Sequence, residues 1–315
     1  MIRGVAGQFT SPGFSLYWGY LVSAAILASL VFARSRRGLR GLLAYLAPRE
    51  LWLRRSTAND FALFVLNTLL YSLWLLTPLT WISTTLGQRT WLALHQSVGP
   101  VATPLSGPAA MVGLALVVFV VADLAFFLGH FALHRIPALW EFHKVHHSAP
   151  VLQPLTVLRR HPLSIVLDGV ISGLLLGPVY GVAGWLGSGT LAPLTVAGVN
   201  AFLLVGLVAG FNLQHSHVWL SFGALDRWLI SPATHQLHHS TDPAHHDRNF
   251  GNFLAVWDRL ARTLLTPREV AEHGEPALRF GLGEPGGAWE REYSSVWRLY
   301  LWPIWRAAKV LARRP

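Results

Sequence analysis

The sequence predicts an all-α integral membrane protein with about five transmembrane helices, within a range of four to six. Three observations support this fold class. The 315 residues are 52% hydrophobic and only 13% charged, which is about half the charged fraction of a typical soluble domain. Five long runs contain almost no charge. Histidine is abundant among the polar residues, and 13 of the 15 histidines lie between His130 and His246.

The five apolar runs have the length that a membrane crossing needs. About 20 helical residues cross a hydrocarbon core of about 30 Å. Helices are expected because backbone groups in lipid must bond to one another. The last two runs are separated by Gly-Ser-Gly at 187–189, which predicts a tight hairpin. The runs are 14–33, 61–86, 108–128, 162–187 and 190–211.

Basic residues orient the predicted spans. The loop after the first run carries seven arginines, whereas the loop at 87–107 has only Arg89. Because arginine-rich loops stay in the cytoplasm, we expect the N-terminus outside and residues 129–161 and 212–315 inside. The expected location is the plasma (inner) membrane of a bacterium, with the histidines on its cytoplasmic side. The seven arginines are Arg34, Arg36, Arg37, Arg40, Arg49, Arg54 and Arg55.

Charge and cysteine content exclude several kinds of site. The net charge of +10 predicts contact with anionic lipid headgroups. Nucleic-acid binding is not expected, because no basic stretch is long. Without cysteine, the chain cannot form disulfides, zinc ribbons, iron–sulfur clusters or thiolate nucleophiles. Tryptophan alternating with arginine after Trp289 predicts a helix lying in the membrane interface, and plain core packing is the alternative.

Four histidine motifs carry the chemistry. On a helix, residues three and four apart share a face, so each longer motif can direct several imidazoles at one point. Neutral imidazole binds zinc, copper, iron and nickel. So many histidines exceed the coordination sphere of one ion, which predicts a cytoplasmic helical cap holding two metals. The motifs are His130-x-x-x-His134, His143-x-x-His146-His147, His215 and His235-x-x-His238-His239.

The order of these motifs, with apolar spans between them, resembles the fatty acid hydroxylase/sterol desaturase superfamily of integral-membrane di-iron enzymes. The likeness covers roughly residues 50–266. Together with the apolar runs and the basic residues, it predicts an N-terminal span and arginine-rich loop at 1–60, a fatty acid hydroxylase-like catalytic domain at 61–266 and an interfacial tail at 267–315. The stretches similar to family segments are Trp140-Glu-Phe-His-Lys-Val-His-His-Ser, Arg160-His-Pro-Leu, Thr234-His-Gln-Leu-His-His-Ser-Thr-Asp-Pro, Asp247-Arg-Asn-Phe-Gly-Asn and Trp257-Asp-Arg-Leu.

Two departures from the family pattern concern individual histidines. His217 stands where the family often has asparagine. His245 and His246 stand where a single histidine or tyrosine is common. Whether these three side chains contact metal stays open at this point.

The resemblance implies two iron ions held by histidine, with dioxygen as the co-substrate that attacks a C–H bond of a lipid. The lipid would be of fatty acyl, sterol or isoprenoid type. Box spacing does not distinguish hydroxylation from desaturation. His161 is either a further ligand or an outer partner. The implied ligands are His130, His134, His143, His146, His147, His215, His235, His238 and His239.

Four further residues are expected to assist the centre. Ligating histidines usually donate their second N–H to a carboxylate or carbonyl, and Asp242 and Asp247 are the nearest carboxylates in sequence. Asn249 is a neutral partner or a turn residue. Asp123 lies two helical turns before His130 on the same face, and an ionisable group inside a span indicates a functional role.

Electrons are expected from a separate ferredoxin- or cytochrome-type protein that docks on the basic cytoplasmic face. The sequence has neither a dinucleotide fingerprint nor a visible heme domain. The nearest enzymatic alternative is an ether-lipid monooxygenase with the same di-iron site. A non-catalytic metal-binding or transport protein would place its ligands near the bilayer midplane, and a zinc hydrolase would use three protein ligands. The histidine pattern disfavours both.

Overall fold

The structure is a computed structural model of the 315-residue chain. Within the predicted arginine-rich loop, Arg36, Arg37 and the side chain of Arg40 lie outside the part that it describes. The described residues are 2–34, 39–270, 277–284 and 286–313.

The predicted all-α fold is confirmed. In the described ranges, β-strands are limited to one antiparallel hairpin of β1 (Thr195–Val196) and β2 (Val199–Asn200). The helices are α1 (Ile2–Thr10), α2 (Trp18–Ala33), α3 (Leu39–Leu46), α4 (Arg49–Trp52), α5 (Arg55–Leu70), α6 (Leu76–Ser97), α7 (Gly107–Arg135), α8 (Pro137–His147), α9 (Pro162–Leu186), α10 (Ala201–Gly206), α11 (Asn212–Gln214), α12 (Pro232–His238), α13 (Val256–Ala261), α14 (Pro267–Val270), α15 (Ala288–Glu292) and α16 (Val296–Ala312).

Three helical segments are long and apolar enough to cross a membrane. They are Arg55–Ser97, Gly107–Arg135 and Pro162–Leu186, and they contain the second, third and fourth predicted runs. The first of them consists of α5 and α6 joined by a π-helical turn at Tyr71–Leu75. The end of α7 and the start of α9 lie together at what we call the histidine end. The end of α6 and the start of α7 lie at the far end.

The fifth predicted run is only partly helical. Its first half is part of the connection between α9 and α10, which carries the β-hairpin. This connection is therefore longer than the tight hairpin predicted at 187–189. This connection lies at the far end, where Asn200 Nδ2 donates to the Ala115 carbonyl at 2.8 Å. The shorter apolar segment Ala201–Gln214 then returns to the histidine end. Together with the three long helices, this segment gives four helical passages between the histidine end and the far end in the described chain. Four lies within the predicted range of four to six.

The first predicted run forms an apolar helix that is shorter than the predicted span. Helix α2 has 16 residues, fewer than the roughly 20 that a crossing needs. The Ser15 carbonyl, just before α2, accepts a hydrogen bond at 2.8 Å from Asn212 Nδ2, close to His215. The Phe9 ring packs on Phe64 of α5 with centroids 5.7 Å apart. Along α2, Tyr20 clusters with Val199 and Leu207, whereas Ala24 and Ala28 pack with Leu213 and Val218, which flank His215.

Helices α6 and α9 approach closely along a stripe of glycines. In α9 the stripe faces side chains and backbone of α6, and a Cβ at Gly177 would lie 2.8 Å from both the Ser83 carbonyl oxygen and Leu86 Cβ. Small residues four apart are the usual means by which membrane helices approach. The stripe holds the long helices together and so supports the histidine end. Its members are Gly169, Gly173, Gly177 and Gly181.

Helix α16 packs across α8 at the histidine end. Leu299, Pro303 and Ala307 are buried on its inner face. Glu141 of α8 accepts hydrogen bonds from Lys144 Nζ at 2.6 Å and Arg306 Nε at 3.0 Å. The outer face is apolar and exposed, as expected of a helix in the membrane interface. The exposed apolar residues are Trp297, Leu301, Ile304, Trp305 and Leu311.

A side chain added to the glycine stripe is predicted to destabilise the fold. Gly177→Val places its Cβ against α6, and overpacking of this kind costs roughly 1–3 kcal/mol. Thermal unfolding of the detergent-solubilised protein should show a lower midpoint. Gly113→Val on α7 is the control, because a Cβ there meets nothing within 4 Å. Equal midpoints for the two variants would contradict the close packing of α6 and α9.

Candidate metal centre

Nine of the predicted ligands converge at the histidine end. His130 and His134 occupy the last two turns of α7, and the second box occupies the last turns of α8. The third box is carried by α12 and its C-terminal cap. Helices α8 and α12 both begin at proline, which is favoured in a first helical turn. Ser231 caps α12 by accepting a hydrogen bond from Thr234 N at 3.2 Å.

The nine histidines form two separate groups. Within each group the candidate ligand nitrogens lie within 4.8 Å of one another. The first histidine group contains His130, His134, His143, His147 and His238. The second histidine group contains His146, His215, His235 and His239.

Nitrogen separations within the groups match those of ligands around one ion. In the second group, His215 Nε2 lies 3.1 Å from His146 Nε2, 3.2 Å from His235 Nε2 and 3.1 Å from His239 Nε2. In the first group, His130 Nε2 and His143 Nε2 are 3.0 Å apart. With metal–nitrogen bonds of about 2.1 Å, neighbouring ligands are separated by about 3.0 Å at right angles and about 3.4 Å in a tetrahedron.

Each His-x-x-His-His box contributes to both groups. In α8, the residues four apart, His143 and His147, belong to the first group, and His146 belongs to the second. The third box reverses this pattern, since His235 and His239 join the second group and His238 the first. Residues i and i+4 share a helical face, while i+3 points to the other side of i. The spacing therefore divides each box between two ions.

The two groups are neighbours. Ring centroids of His147 and His239, from different groups, are 4.6 Å apart, and those of His235 and His238 are 5.4 Å apart. Two ions bound in these groups would therefore lie side by side. Neither group contains a carboxylate among the described residues.

The electrostatics of the groups suit neutral ligands. Burial lowers the pKa of His215 to about 3 and that of His238 to about 4. Both imidazoles are therefore neutral at pH 7, which is the form that binds metal. The buried Nε2 atoms of His134, His147 and His238 have no hydrogen-bond partner in the described chain. Buried nitrogens without partners are costly, and a bound cation would satisfy them.

Backbone carbonyls orient two of the ligands. His130 Nδ1 lies 2.8 Å from the Phe250 carbonyl, and His238 Nδ1 lies 2.8 Å from the Arg248 carbonyl. These contacts leave Nε2 of each ring for metal. The sequence predicts Asp242 and Asp247 in this role. For these two histidines the acceptors are carbonyls of the segment that follows Asp247.

Asp123 stabilises that segment from α7 and does not contact a histidine of either group. Its carboxylate accepts hydrogen bonds from Phe253 N at 3.0 Å, Leu254 N at 3.1 Å and Trp257 Nε1 at 2.9 Å. Asp258 was not among the predicted site residues. Its carboxylate accepts from the Phe250 and Gly251 amides at 2.8 and 2.7 Å. The two aspartates together fix the backbone that orients His130.

Asn249 has a similar structural role. It is fully buried, and its Nδ2 donates to the Thr234 carbonyl at 3.0 Å and the Leu265 carbonyl at 2.8 Å. Its Oδ1 accepts from Leu265 N at 2.7 Å. Asn249 therefore ties α12 to the chain after α13. It adopts a φ of 59°, in the left-handed region that asparagine tolerates better than most residues.

The two predicted carboxylate partners lie in different places. Asp242 is exposed and caps the turn at Pro243–His245, where its Oδ1 accepts from Ala244 N at 2.9 Å. Asp247 is half exposed and lies nearer the centre, with Oδ1 3.7 Å from His134 Nδ1. Its other oxygen lies 3.8 Å from Arg135. Only Asp247 of this pair borders the first histidine group.

His161, for which the sequence leaves open a role as a further ligand or an outer partner, belongs to neither group. Its Nδ1 accepts from Leu163 N at 3.1 Å at the start of α9, and its Nε2 lies 3.0 Å from the Tyr300 carbonyl. Both ring nitrogens are therefore engaged by backbone.

The three histidines that depart from the family pattern also lie outside both groups. His217 is exposed and packs edge-on against Tyr45, with centroids 4.9 Å apart. His245 is buried in its turn, and His246 is exposed.

A buried ion pair below the second box was missed by the sequence reasoning. Arg159 Nη1 donates to Asp60 Oδ1 at 2.8 Å, and the two side chains are 1% and 0% exposed. Arg159 Nε also donates to the Val145 carbonyl at 2.9 Å, and Nη2 to Ser148 Oγ at 2.8 Å. Because Val145 lies inside the box and Ser148 follows it, this pair fixes the end of α8. The partners are 99 positions apart.

Comparison with known proteins agrees with this geometry. Residues 115–263 match the profile of the fatty acid hydroxylase family, and this stretch contains both histidine groups. Within these residues the chain is similar to the fatty acid hydroxylase family. Its three long apolar helices and this similarity support an integral membrane protein.

Proteins similar to this chain include named lipid oxygenases. The chain is 31% identical over 151 residues to ornithine lipid hydroxylase OlsE of Rhizobium tropici. That match covers 47% of this chain and 40% of the relative. The chain is 26% identical over 190 residues to alkylglycerol monooxygenase of Danio rerio, and that match covers 58% of this chain and 36% of the relative. The human alkylglycerol monooxygenase is 25% identical over 157 residues, covering 50% and 32%.

The matches span less than half the length of these relatives. These relatives are named as a hydroxylase and as monooxygenases. No solved structure matches the chain significantly.

Two cavities adjoin the candidate metal centre. A polar cavity of about 370 Å³ borders the first histidine group and is lined by His134, His147, His238, His246 and Asp247, among others. An apolar cavity of about 210 Å³ lies between α7 and the segment Ala201–Gln214. Phenylalanines form much of its wall, and it reaches Gln214, which precedes His215, and Pro232, the first residue of the helix that carries His235. These lining residues are Phe119, Phe202, Phe211, Phe253, Gln214 and Pro232.

The two histidine groups predict two ions per chain that can be removed separately. Protein from iron-supplemented cells should contain about two iron ions by elemental analysis. His134→Ala and His215→Ala each remove one ligand of a different group, so each should retain about one ion. His217→Ala should retain both. One zinc per chain without iron in the unaltered protein would contradict the assignment.

The buried pair below α8 predicts an asymmetric mutational effect. Asp60→Leu leaves the Arg159 charge buried without its partner, which costs about 3–5 kcal/mol. Asp60→Leu/Arg159→Met removes both charges and should recover part of that stability in thermal unfolding of the solubilised protein. If the double variant is no more stable than Asp60→Leu, the pair does not have this role.

Proposed function

We propose that the chain is a membrane-bound, di-iron, dioxygen-dependent enzyme that hydroxylates a C–H bond in the apolar part of a lipid. The observation that carries this proposal is the pair of adjacent all-histidine groups at one end of the membrane helices. The names of the relatives support oxygen insertion into lipids. The whole relatives are longer than their matched parts, so their substrates serve here as candidates.

Iron is the metal that fits this ligand set and chemistry best. Nitrogen-only sites can bind several first-row metals, but zinc and nickel do not supply oxygenase chemistry in such sites. Two irons, when bound, would activate dioxygen for attack on an unreactive C–H bond. The histidines hold each ion in a buried place, and the absence of carboxylates from the described groups keeps the ions more cationic.

The two cavities have complementary roles in this proposal. The apolar cavity admits the lipid chain from the bilayer, because α7 and α10 contribute phenylalanines to its wall and it reaches Gln214, the residue before His215. The polar cavity connects the first histidine group to water through His246 and Asp247. Asp247, 3.7 Å from His134 Nδ1, can transfer protons there.

The reaction needs two electrons and two protons for each dioxygen. One oxygen atom enters the C–H bond to give an alcohol, and the other leaves as water. We propose that a ferredoxin- or cytochrome-type protein supplies the electrons from the cytoplasmic side. A basic cleft of about 880 Å³ lined by Arg227, Arg259 and Arg268 is a suitable surface for an acidic donor.

Ether-lipid oxygenation is the second candidate, because several relatives are named alkylglycerol monooxygenase. The same site would then hydroxylate the carbon next to the ether oxygen, and the resulting hemiacetal would separate into an aldehyde and a free glycerol hydroxyl. Desaturation would leave no oxygen in the lipid. Metal transport is disfavoured, because the nine histidines gather at one end of the helices and do not line a path near the midplane.

The decisive experiment supplies isotopically labelled dioxygen to the protein in native-lipid nanodiscs with ferredoxin, its reductase and a nicotinamide cofactor. Ornithine lipid and alkylglycerol are added in separate samples, and products are identified by mass spectrometry. Label in an intact lipid supports hydroxylation, and labelled aldehyde supports ether oxygenation.

The variants make this experiment specific to the histidine centre. His238→Ala should abolish label incorporation, because it removes a ligand of the first group. His217→Ala should leave the rate unchanged, because that side chain lies outside both groups. Full activity of His238→Ala, or an unsaturated unlabelled product from the unaltered protein, would contradict the proposal.

A further inference from the structure

A cavity of about 440 Å³ lies between the start of α5 and the segment that precedes α16. It contains no residue of either histidine group. Arg54 and Arg55 line one side, and Trp289 and Arg291 line the other. We call it the arginine cavity. Its inner surface includes Ser148, the residue that follows the second histidine box.

The arginine cavity carries excess positive charge. Arg54, Arg55 and Arg291 are exposed, and in the described chain none of them forms an ion pair with a carboxylate. Glu290 also lines the cavity, and its carboxylate accepts a hydrogen bond from Gly286 N at 3.0 Å. Three guanidinium groups therefore outweigh one carboxylate. Their planar donor geometry matches the oxygens of a phosphate.

Apolar residues on both sides place the cavity at the membrane surface. Trp52 and Leu53, which precede Arg54, are 42% and 81% exposed. Trp297 and Leu301, on the outer face of α16, are 76% and 61% exposed. Tryptophan is enriched where the hydrocarbon meets the headgroups. Arginines between two such segments lie at the level of lipid phosphates, which favours a lipid over free phosphate as the ligand.

We propose that the arginine cavity binds the phosphate of an anionic phospholipid from the surrounding bilayer. Arg55 and Arg291 approach the phosphate from opposite sides of the cavity. Bound lipid also joins the start of α5 to the segment before α16. Because Ser148 and Arg159 form part of the same cavity and also hold the end of α8, the lipid stabilises the second histidine box.

The test measures lipid-dependent stability of the full-length chain in neutral detergent. Short-chain phosphatidylglycerol is titrated while the thermal unfolding midpoint is recorded, with phosphatidylcholine and inorganic phosphate as comparisons. A ligand of the native state raises the midpoint. We expect a saturable rise with phosphatidylglycerol and a much smaller one with the others. Arg55→Gln/Arg291→Gln should bind phosphatidylglycerol roughly 30-fold more weakly.

A second double variant distinguishes binding at the arginine cavity from a general effect of positive surface charge. Arg227→Gln/Arg268→Gln removes the same charge from the basic cleft on another part of the surface and should bind like the unaltered protein. Equal weakening in both pairs, no weakening in Arg55→Gln/Arg291→Gln, or an equal response to inorganic phosphate would overturn the proposal. If the double variant does not fold, Arg291→Gln alone is used, with an expected weakening of roughly fivefold.

Discussion

The structure depends on keeping nine imidazoles neutral and convergent in one buried place. Each ring has a nitrogen directed at its group, and burial makes protonation unfavourable, as the low pKa values of His215 and His238 show. Buried nitrogens without partners cost about 1–3 kcal/mol each. The protein offsets part of this cost by placing the Arg248 and Phe250 carbonyls on the outer nitrogens of His238 and His130. Bound cations would satisfy the inner nitrogens.

Much of the remaining fold maintains this arrangement. Asp123 and Asp258 hold the segment that supplies the Phe250 carbonyl, and the Asp60–Arg159 pair holds the end of α8. Buried ion pairs contribute little net stability but fix geometry when their hydrogen bonds are complete. The arginine cavity adjoins this pair. In this account, the packing of the membrane helices, a lipid at the surface and the metal centre are physically connected.

Local spacing predicted the centre well, whereas distant contacts could not be predicted. Helical periodicity was sufficient to expect two metals from the two His-x-x-His-His boxes. The carbonyls that orient His130 and His238 were missed, because every residue has a carbonyl and only the tertiary fold selects one. The sequence left His161 between a ligand and an outer partner, and Tyr300, 139 positions away, engages its ring. Asp123 was expected to assist the centre, and its contacts are with two backbone amides and the Trp257 indole. Apolar composition alone could not show that the residues before Ala201 form a β-hairpin and not the first part of a longer helix.

X-ray absorption at the iron edge of purified protein would test whether two histidine-ligated irons lie side by side. We expect ring scattering from several imidazoles around each iron, together with scattering from a second metal nearby, because the two histidine groups are adjacent. An isolated iron without a metal neighbour would contradict this expectation. So would a first shell of mainly carboxylate and water oxygens without the imidazole pattern.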